Sequence, residues 1–167
     1  MAMFSRRRTS STPLDGVDAV LADLDGVVYA GAGALPWAVE SLSALGERRL
    51  GFITNNASRT DEAVAEHLRE LGLATQASDV VTSPQAATRL LRTRVEPGAT
   101  ILVVGGEGLV VELENAGYAV TRSAEDSPAA VVQGFAPDVG WKQLAEAAFA
   151  LKTPEDEGGI PWIATNT

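Results

Sequence analysis

Two acids, Asp23 and Asp25, close an apolar run in "VLADLDGVVY", Val20 to Tyr29. The run reads as a buried strand, and the pair falls at its carboxyl end, where open α/β sheets collect ligands. In extended chain, residues i and i+2 point to the same side. Two carboxylates so close repel unless one takes a proton or a cation sits between them. A hard divalent ion such as Mg2+ prefers carboxylate and carbonyl oxygens. A protonated carboxyl is a general acid. Gly26 supplies the backbone freedom to turn away from the strand. The competing reading is a pair of solvated acids in a turn, since the D-x-D-G pattern alone is common. A calcium-binding EF-hand loop is rejected. It needs further acids at alternating positions and a closing Glu, whereas "DLDGVVYAGAGA" has Val, Tyr and Gly there.

A second stretch with chemical potential is "FITNNASRT", where an apolar strand runs into Thr54, Asn55 and Asn56. A hydroxyl and successive backbone N–H groups at a strand end make an oxyanion cradle. Helix capping is the plainer use of such residues, and Ser58 and Thr60 are expected to cap the next helix. Thr54 lies too early for that job.

The elements that must position these groups follow from periodicity. Strands are expected at "AVLAD", "LGFITN" and "DVVTS". Helices are expected at "LPWAVESLSALGER", "TDEAVAEHLRELG" and "PQAATRLLRTRV", the last opened by Ser83 and Pro84. After "EPGAT" a second series begins. It has strands "ILVVG", "YAVTR", "AAVVQG" and "IPWIATN", with helices "EGLVVELENAG" and "DVGWKQLAEAAFALK". Strands alternating with helices argue for α/β units with largely parallel sheets. The break near Val95–Gly98 is the expected domain boundary. "TPEDEGG", Thr153–Gly159, reads as a solvated loop.

Composition bounds the function. The chain has 167 residues, 46% of them hydrophobic, a net charge of −9 and no cysteine. That excludes a disordered tail, disulfides, thiol nucleophiles and Cys-based zinc sites, and it fits a reducing cytoplasm. The acidic balance argues against nucleic-acid or anionic-membrane partners. The basic cluster Arg6–Arg8 has no apolar segment of about 7–15 residues behind it, as a signal peptide would. Residues 1–16 are therefore expected to be a disordered leader. No apolar run approaches the roughly 18 residues of a membrane span.

"DLDGVVY" followed by "FITNNASRT" resembles the haloacid dehalogenase (HAD) superfamily of phosphohydrolases, and within it the 4-nitrophenylphosphatase/NagD-like branch. "DVVTSPQAAT", "ILVVGGEGLVVELENAGY", "AAVVQGF" and "WIATN" resemble that branch in the expected order. The resemblance implies an α/β fold: a Rossmann-like parallel-sheet core, its first half over residues 17–96, with the start of an inserted α/β cap domain over 97–167. It also implies roles. Asp23 matches the nucleophile that forms an aspartyl-phosphate. Asp25 matches the general acid for the leaving alcohol, and then the base that activates water. Mg2+ would be held by the Asp23 carboxylate and the Asp25 main-chain carbonyl. Thr54 matches the phosphate-binding hydroxyl, and Asn55 and Asn56 would supply N–H groups to the phosphate. The substrate would be a small phosphate ester of glycerol phosphate, phosphoglycolate or nucleoside monophosphate type. The complete protein would be a cytoplasmic enzyme, with a homodimer among its states.

The chain departs from that pattern in two ways. The family's phosphate-binding Lys of a third motif and its acidic G-D-x-x-x-T-D motif are not visible. The only lysines, Lys142 and Lys152, fall in the cap-like region. The chain is therefore expected to be the N-terminal half of a longer protein and inactive alone. Two rival readings remain. "ILVVGGEGLVVELENAG" is a partial dinucleotide-binding turn, with Glu125 or Asp126 near the ribose-contact distance, but Val111 replaces its third glycine. The other rival is a non-catalytic phosphate-ligand-binding relative, against which both Asp23 and Asp25 speak. His67, the sole histidine, is expected to pack or lie at the surface. Trp37, Trp141 and Trp162 are expected to pack in core or cap. Ser83 is expected to cap a helix rather than lie at a hinge near the site.

Overall fold

The computed structural model describes residues 12–166. Most of the expected leader thus lies outside the described residues. Its end, residues 12–16, forms a turn in which Thr12 and Asp15 bond each other, and Arg48 donates to the carbonyl of Leu14.

The first half runs β1 (Ala19–Asp23), β2 (Tyr29–Ala30), β3 (Gly33–Ala34), α1 (Ala38–Ser43), β4 (Arg49–Thr54), α2 (Asp61–Glu70), β5 (Val80–Thr82) and α3 (Ser83–Leu91). β1, β4 and β5 form a parallel sheet in that order, with Ala22 opposite Phe52 and Thr54 opposite Thr82. Alternation decides the faces. Ala22, Phe52 and Val80 point to one side and pack with Leu24, Val28 and Tyr29 against Val64, Ala65 and Leu68 of α2. Full burial of a side chain such as Phe52 contributes about 1.5–3 kcal/mol. On the opposite face Leu21, Ile53 and Val81 are 70%, 43% and 39% exposed. Parallel sheets normally have both faces covered, which is why their strands read as continuous apolar runs. Here the apolar run is present, and the described residues cover one face only.

The second half runs β6 (Thr100–Val104), α4 (Glu107–Asn115), β7 (Ala119–Thr121), β8 (Ala130–Gln133), α5 (Trp141–Ala150) and β9 (Trp162–Ala164). Its parallel sheet has the order β7-β6-β8-β9. Both faces of this sheet are covered. Ile101, Val103, Ala130 and Val132 meet Leu109 and Leu113 of α4, while Leu102, Val104 and Val131 meet Ala147 of α5. Ala87 and Leu91 of α3 join the core between this sheet and α4, not the core of the first sheet. The helix that leaves β5 therefore packs on the sheet that follows it.

Local chemistry explains the helix ends. Thr82 caps α3 in a reciprocal box with Gln85, and Pro84 occupies its first turn. Thr60 caps α2 by accepting from the N–H of Ala63. The expected helix over residues 35–48 shrinks to α1, because Trp37 takes a left-handed conformation at φ 68° and stops it from starting earlier. The tryptophans do not pack in a core. Trp37, Trp141 and Trp162 are 77%, 82% and 59% exposed, since they sit ahead of α1, at the first residue of α5 and on the edge strand β9. The expected solvated loop at 153–159 contains a short 3-10 turn, Glu155–Glu157, tied by an Arg94–Glu155 ion pair of 2.9 Å.

Candidate active site

The carboxyl ends of β1, β4 and β5 bring Asp23, Thr54 and Thr82 to one edge of the sheet. An open cleft of about 420 Å³ lies there, lined by Asp23, Thr54, Asn55, Thr82 and Ser83 among others. Residues far apart in sequence converge because parallel strands present equivalent ends to the same side.

Asp23 ends β1, and its Oδ1 accepts the N–H of Leu24 at 2.8 Å. That bond holds the carboxylate by one oxygen and leaves the other for the cleft. Leu24 is fully buried and its carbonyl accepts from Val27, Val28 and Tyr29. The chain is thus folded into a tight loop that places Asp25 beyond the strand, bridged to Tyr29. Gly26, at φ 81°, donates to the Tyr29 carbonyl and supplies the reversal. Asp25 does not line the cleft of Asp23; it stands exposed on the adjoining turn.

The loop after β4 is organised by its own side chains. Thr54 is 6% exposed. Its Oγ1 accepts the Asn56 N–H at 3.1 Å, which leaves the hydroxyl proton for another acceptor. Asn56 Oδ1 accepts from Ser58 N at 2.9 Å and Ser58 Oγ at 2.7 Å. Asn56 therefore builds the turn and does not line the cleft, while Asn55 does. Ser58 serves this turn and not the α2 cap. Ser83 does not take the helix cap expected of it. Thr82 takes the cap, and Ser83 Oγ donates to the Asn55 carbonyl at 3.0 Å, fixing the loop beside the cleft.

Charge around the site is uneven. Among the described residues, no lysine or arginine lines the cleft. The Tyr29 hydroxyl is pushed above its usual range by burial and then by Asp25; Arg59 opposes the rise and Asp23 adds to it. Arg59 therefore stands in the same electrostatic neighbourhood as both acids. The donors Asp23 and the Asp25 carbonyl are hard oxygens, which fit an ion such as Mg2+. Among the described residues no cluster of three His, Asp or Glu completes a metal cage. His67 packs edge-on to Tyr29 at 4.9 Å between ring centroids, in keeping with a packing role.

The β2–β3 hairpin beside the acids is not visible in the sequence reading; its signal is the Gly31–Ala32 turn, with Gly31 at φ 63°. The glycines of "VVGGEG" also acquire a different meaning. An added Cβ at Gly106 would lie 3.4 Å from Ser58 Cα, and one at Gly108 would lie 2.6 Å from the Arg59 carbonyl carbon. At Gly134 it would lie 2.9 Å from Ala57 Cβ. These glycines let the loop of residues 57–59 dock on the second sheet. The acids invoked for a dinucleotide are placed otherwise: Asp126 accepts from the Thr121 hydroxyl and Glu125 is exposed.

Residues 20–119 match the family model of haloacid dehalogenase-like hydrolases. The D-glycerol 3-phosphate phosphatase of Mycobacterium tuberculosis is 46% identical over 149 residues, which is 89% of this chain and 40% of that protein. Human glycerol-3-phosphate phosphatase is 35% identical, over 92% of this chain and 54% of its own length. The crystal structure of the M. tuberculosis glycerol phosphate phosphatase in complex with magnesium superposes with a TM-score of 0.81 at 45% identity, covering 90% of this chain and 44% of that one. NagD from E. coli K-12 gives 0.75 at 29% identity, covering 90% and 57%. The chain thus spans about half or less of the length of these relatives. No described helix is long and apolar enough to cross a membrane. Motifs, fold and relatives agree that the chain belongs to the haloacid dehalogenase-like hydrolases.

Proposed function

We propose that this chain carries the nucleophile-bearing part of a Mg2+-dependent phosphomonoesterase acting on a small phosphate ester, with glycerol phosphate first among the candidates. The observation that carries the reading is the meeting of Asp23 and Thr54 at the carboxyl edge of adjacent parallel strands, with Asp25 on the next turn. The names of the relatives support the substrate class, and the magnesium complex supports the metal.

In this reading the Asp23 carboxylate attacks phosphorus, and the bond to the ester oxygen breaks. Asp25 protonates the departing alkoxide. Asp25, now a carboxylate, takes a proton from water, which attacks phosphorus in turn. Inorganic phosphate leaves and Asp23 is regenerated. The covalent aspartyl-phosphate divides one hard displacement into two. The Thr54 hydroxyl donates to a phosphoryl oxygen, with Asn55 at the same loop. The Asp23 carboxylate and the Asp25 carbonyl would hold Mg2+, whose positive charge would offset that of the phosphoryl dianion. Residues 17–96 would belong to the core and 97–167 to a cap over it, with α3 riding on the cap side. A cytoplasmic setting accords with the lack of cysteine.

The test is phosphate release by the full gene product from glycerol 3-phosphate, phosphoglycolate, nucleoside monophosphates and 4-nitrophenyl phosphate. Hydrolysis that needs Mg2+ and stops in excess EDTA is the expected result. Activity unchanged in EDTA contradicts the metal assignment. Phosphate binding without turnover would leave only the non-catalytic relative.

A further inference from the structure

The register of β4 on β5 sets Thr54 opposite Thr82. The next residues, Asn55 and Ser83, therefore stand side by side at the carboxyl edge, and all four line the cleft. Ser83 Oγ donates to the Asn55 carbonyl at 3.0 Å. The N–H of the same peptide unit, that of Asn56, donates to Thr54 Oγ1 at 3.1 Å. One peptide plane is thus held at both ends by hydroxyl groups, Ser83 at its carbonyl and Thr54 at its N–H.

The two bonds run in one direction, from the Ser83 hydroxyl through the 55–56 peptide to Thr54. Amide resonance links a carbonyl to its N–H, so a donor on the one strengthens the other, and successive bonds polarise each other. An N–H at one lone pair of Thr54 Oγ1 bars the hydroxyl proton from that side. Among the described residues that proton has no acceptor, which leaves it for one in the cleft. Thr54 and Ser83 are both buried, so water screens the chain little. Ser83 owes its place to its neighbours and not to its own hydroxyl. Thr82 and Gln85 cap α3, Gln85 Nε2 donates to Asp61 of α2 at 2.9 Å, and Ala87 and Leu91 pack α3 into the second half.

We infer that Ser83 is a positioning residue: through the 55–56 peptide, its hydroxyl aims the Thr54 hydroxyl proton at a phosphoryl oxygen of the bound ester. The inference rests on the phosphatase reading and adds to it the group that sets Thr54. The proton of Ser83 is spent on Asn55, so Ser83 acts on the phosphate only through Thr54. The consequence falls on binding. A contact made equally before and during the reaction lowers KM and leaves kcat alone.

The experiment uses the full gene product with Mg2+ and compares Ser83→Ala, Thr54→Val and the double variant. Thr93→Ala is the control, since it also deletes a hydroxyl that donates to a backbone carbonyl, that of Leu90 at 2.7 Å, just past the end of α3. The readouts are KM and kcat for 4-nitrophenyl phosphate, and inorganic phosphate binding by calorimetry. Ser83→Ala retains the Thr82 cap and should fold. It should raise KM and the phosphate dissociation constant roughly 3–10-fold, the loss of one neutral hydrogen bond, with kcat near the parent's. Ser83→Gly, which also deletes the hydroxyl, should show the same losses, and Ser83→Thr, which keeps it, should restore the parental constants. Thr54→Val already lacks the receiving hydroxyl, so adding Ser83→Ala to it should change neither constant further. A merely structural tether would cost the same in both backgrounds. Parental constants in Ser83→Ala and Ser83→Gly overturn the inference, as does an undiminished penalty in the Thr54→Val background or an equal loss in Thr93→Ala. If the parent binds phosphate but hydrolyses no ester, the phosphatase reading fails alone, and a Thr54-dependent loss of phosphate binding in Ser83→Ala still supports the relay.

Discussion

Gly108→Ala is the perturbation with the sharpest structural forecast. The new Cβ would stand 2.6 Å from both the carbonyl carbon and oxygen of Arg59, and 3.0 Å from its nitrogen. Comfortable carbon contacts begin near 3.5 Å, so helix α4 or the loop must retreat by about 1 Å. The contact atoms are backbone and cannot swing aside. Overpacking of this kind costs roughly 1–3 kcal/mol. Alanine in place of helical glycine returns about 1 kcal/mol, so a net loss of up to about 2 kcal/mol is expected. The loop that moves is the one carrying Thr54 to Arg59. A misplacement of about 1 Å near reacting atoms can cost on the order of 10²-fold in rate. The assay pairs denaturant unfolding with kcat/KM for a phosphate ester in the full gene product. Gly140→Ala, whose Cβ would meet nothing closer than 3.6 Å, is the control and should keep its activity. A Gly108→Ala protein with parental stability and turnover would refute the docking role of this glycine.

Asp25→Asn keeps the main-chain carbonyl but loses proton transfer, so turnover should fall roughly 10²–10⁴-fold with substrate binding retained, read by steady-state kinetics. Glu112 on α4 has its carboxyl pushed upward, first by burial and then by Asp61, against the pull of Arg92 and Arg89. Its folded form holds the proton more tightly than its unfolded form, so this residue costs stability as pH rises through the ordinary carboxylate range and above. Glu112→Gln should therefore be more stable than the parent at neutral pH, with the gap closing well below pH 4.5, the ordinary glutamate value, as followed by urea unfolding. Residues 1–167 expressed alone should self-associate through the face of Leu21, Ile53 and Val81 and the open edge of β1. They should also show no significant phosphatase turnover; a monomer by light scattering that turns over like the full gene product counts against both expectations.

What could be read from the sequence was local. The strands ending in Asp23 and Thr54 announce themselves as apolar runs that stop in polar groups, and α2 and α3 carry their caps within a few residues. The β2–β3 hairpin was not legible, because strands of two residues have no periodicity to detect. The difference between Thr82 and Ser83 turns on which hydroxyl faces Gln85 and which faces Asn55, a tertiary fact. The glycines 106, 108 and 134 look like a nucleotide turn until Ala57, Ser58 and Arg59, distant in the chain, are seen against them. Ala87 and Leu91 moved α3 to the second core for the same reason: an amphipathic helix shows that it has an apolar face but not which sheet will cover it. The exposed tryptophans show the converse limit, since Trp37 fell outside its helix through a left-handed backbone that composition does not reveal.

The central claim is that Asp23 is the nucleophile. Its most direct test is to quench the full gene product during turnover of a phosphate ester with Mg2+, reduce with borohydride and map the product by mass spectrometry. An acyl phosphate at Asp23 would be converted to homoserine at that position, and Asp23→Asn would give neither the label nor turnover. Reduction at another carboxylate, or undiminished turnover in Asp23→Asn, would contradict the account.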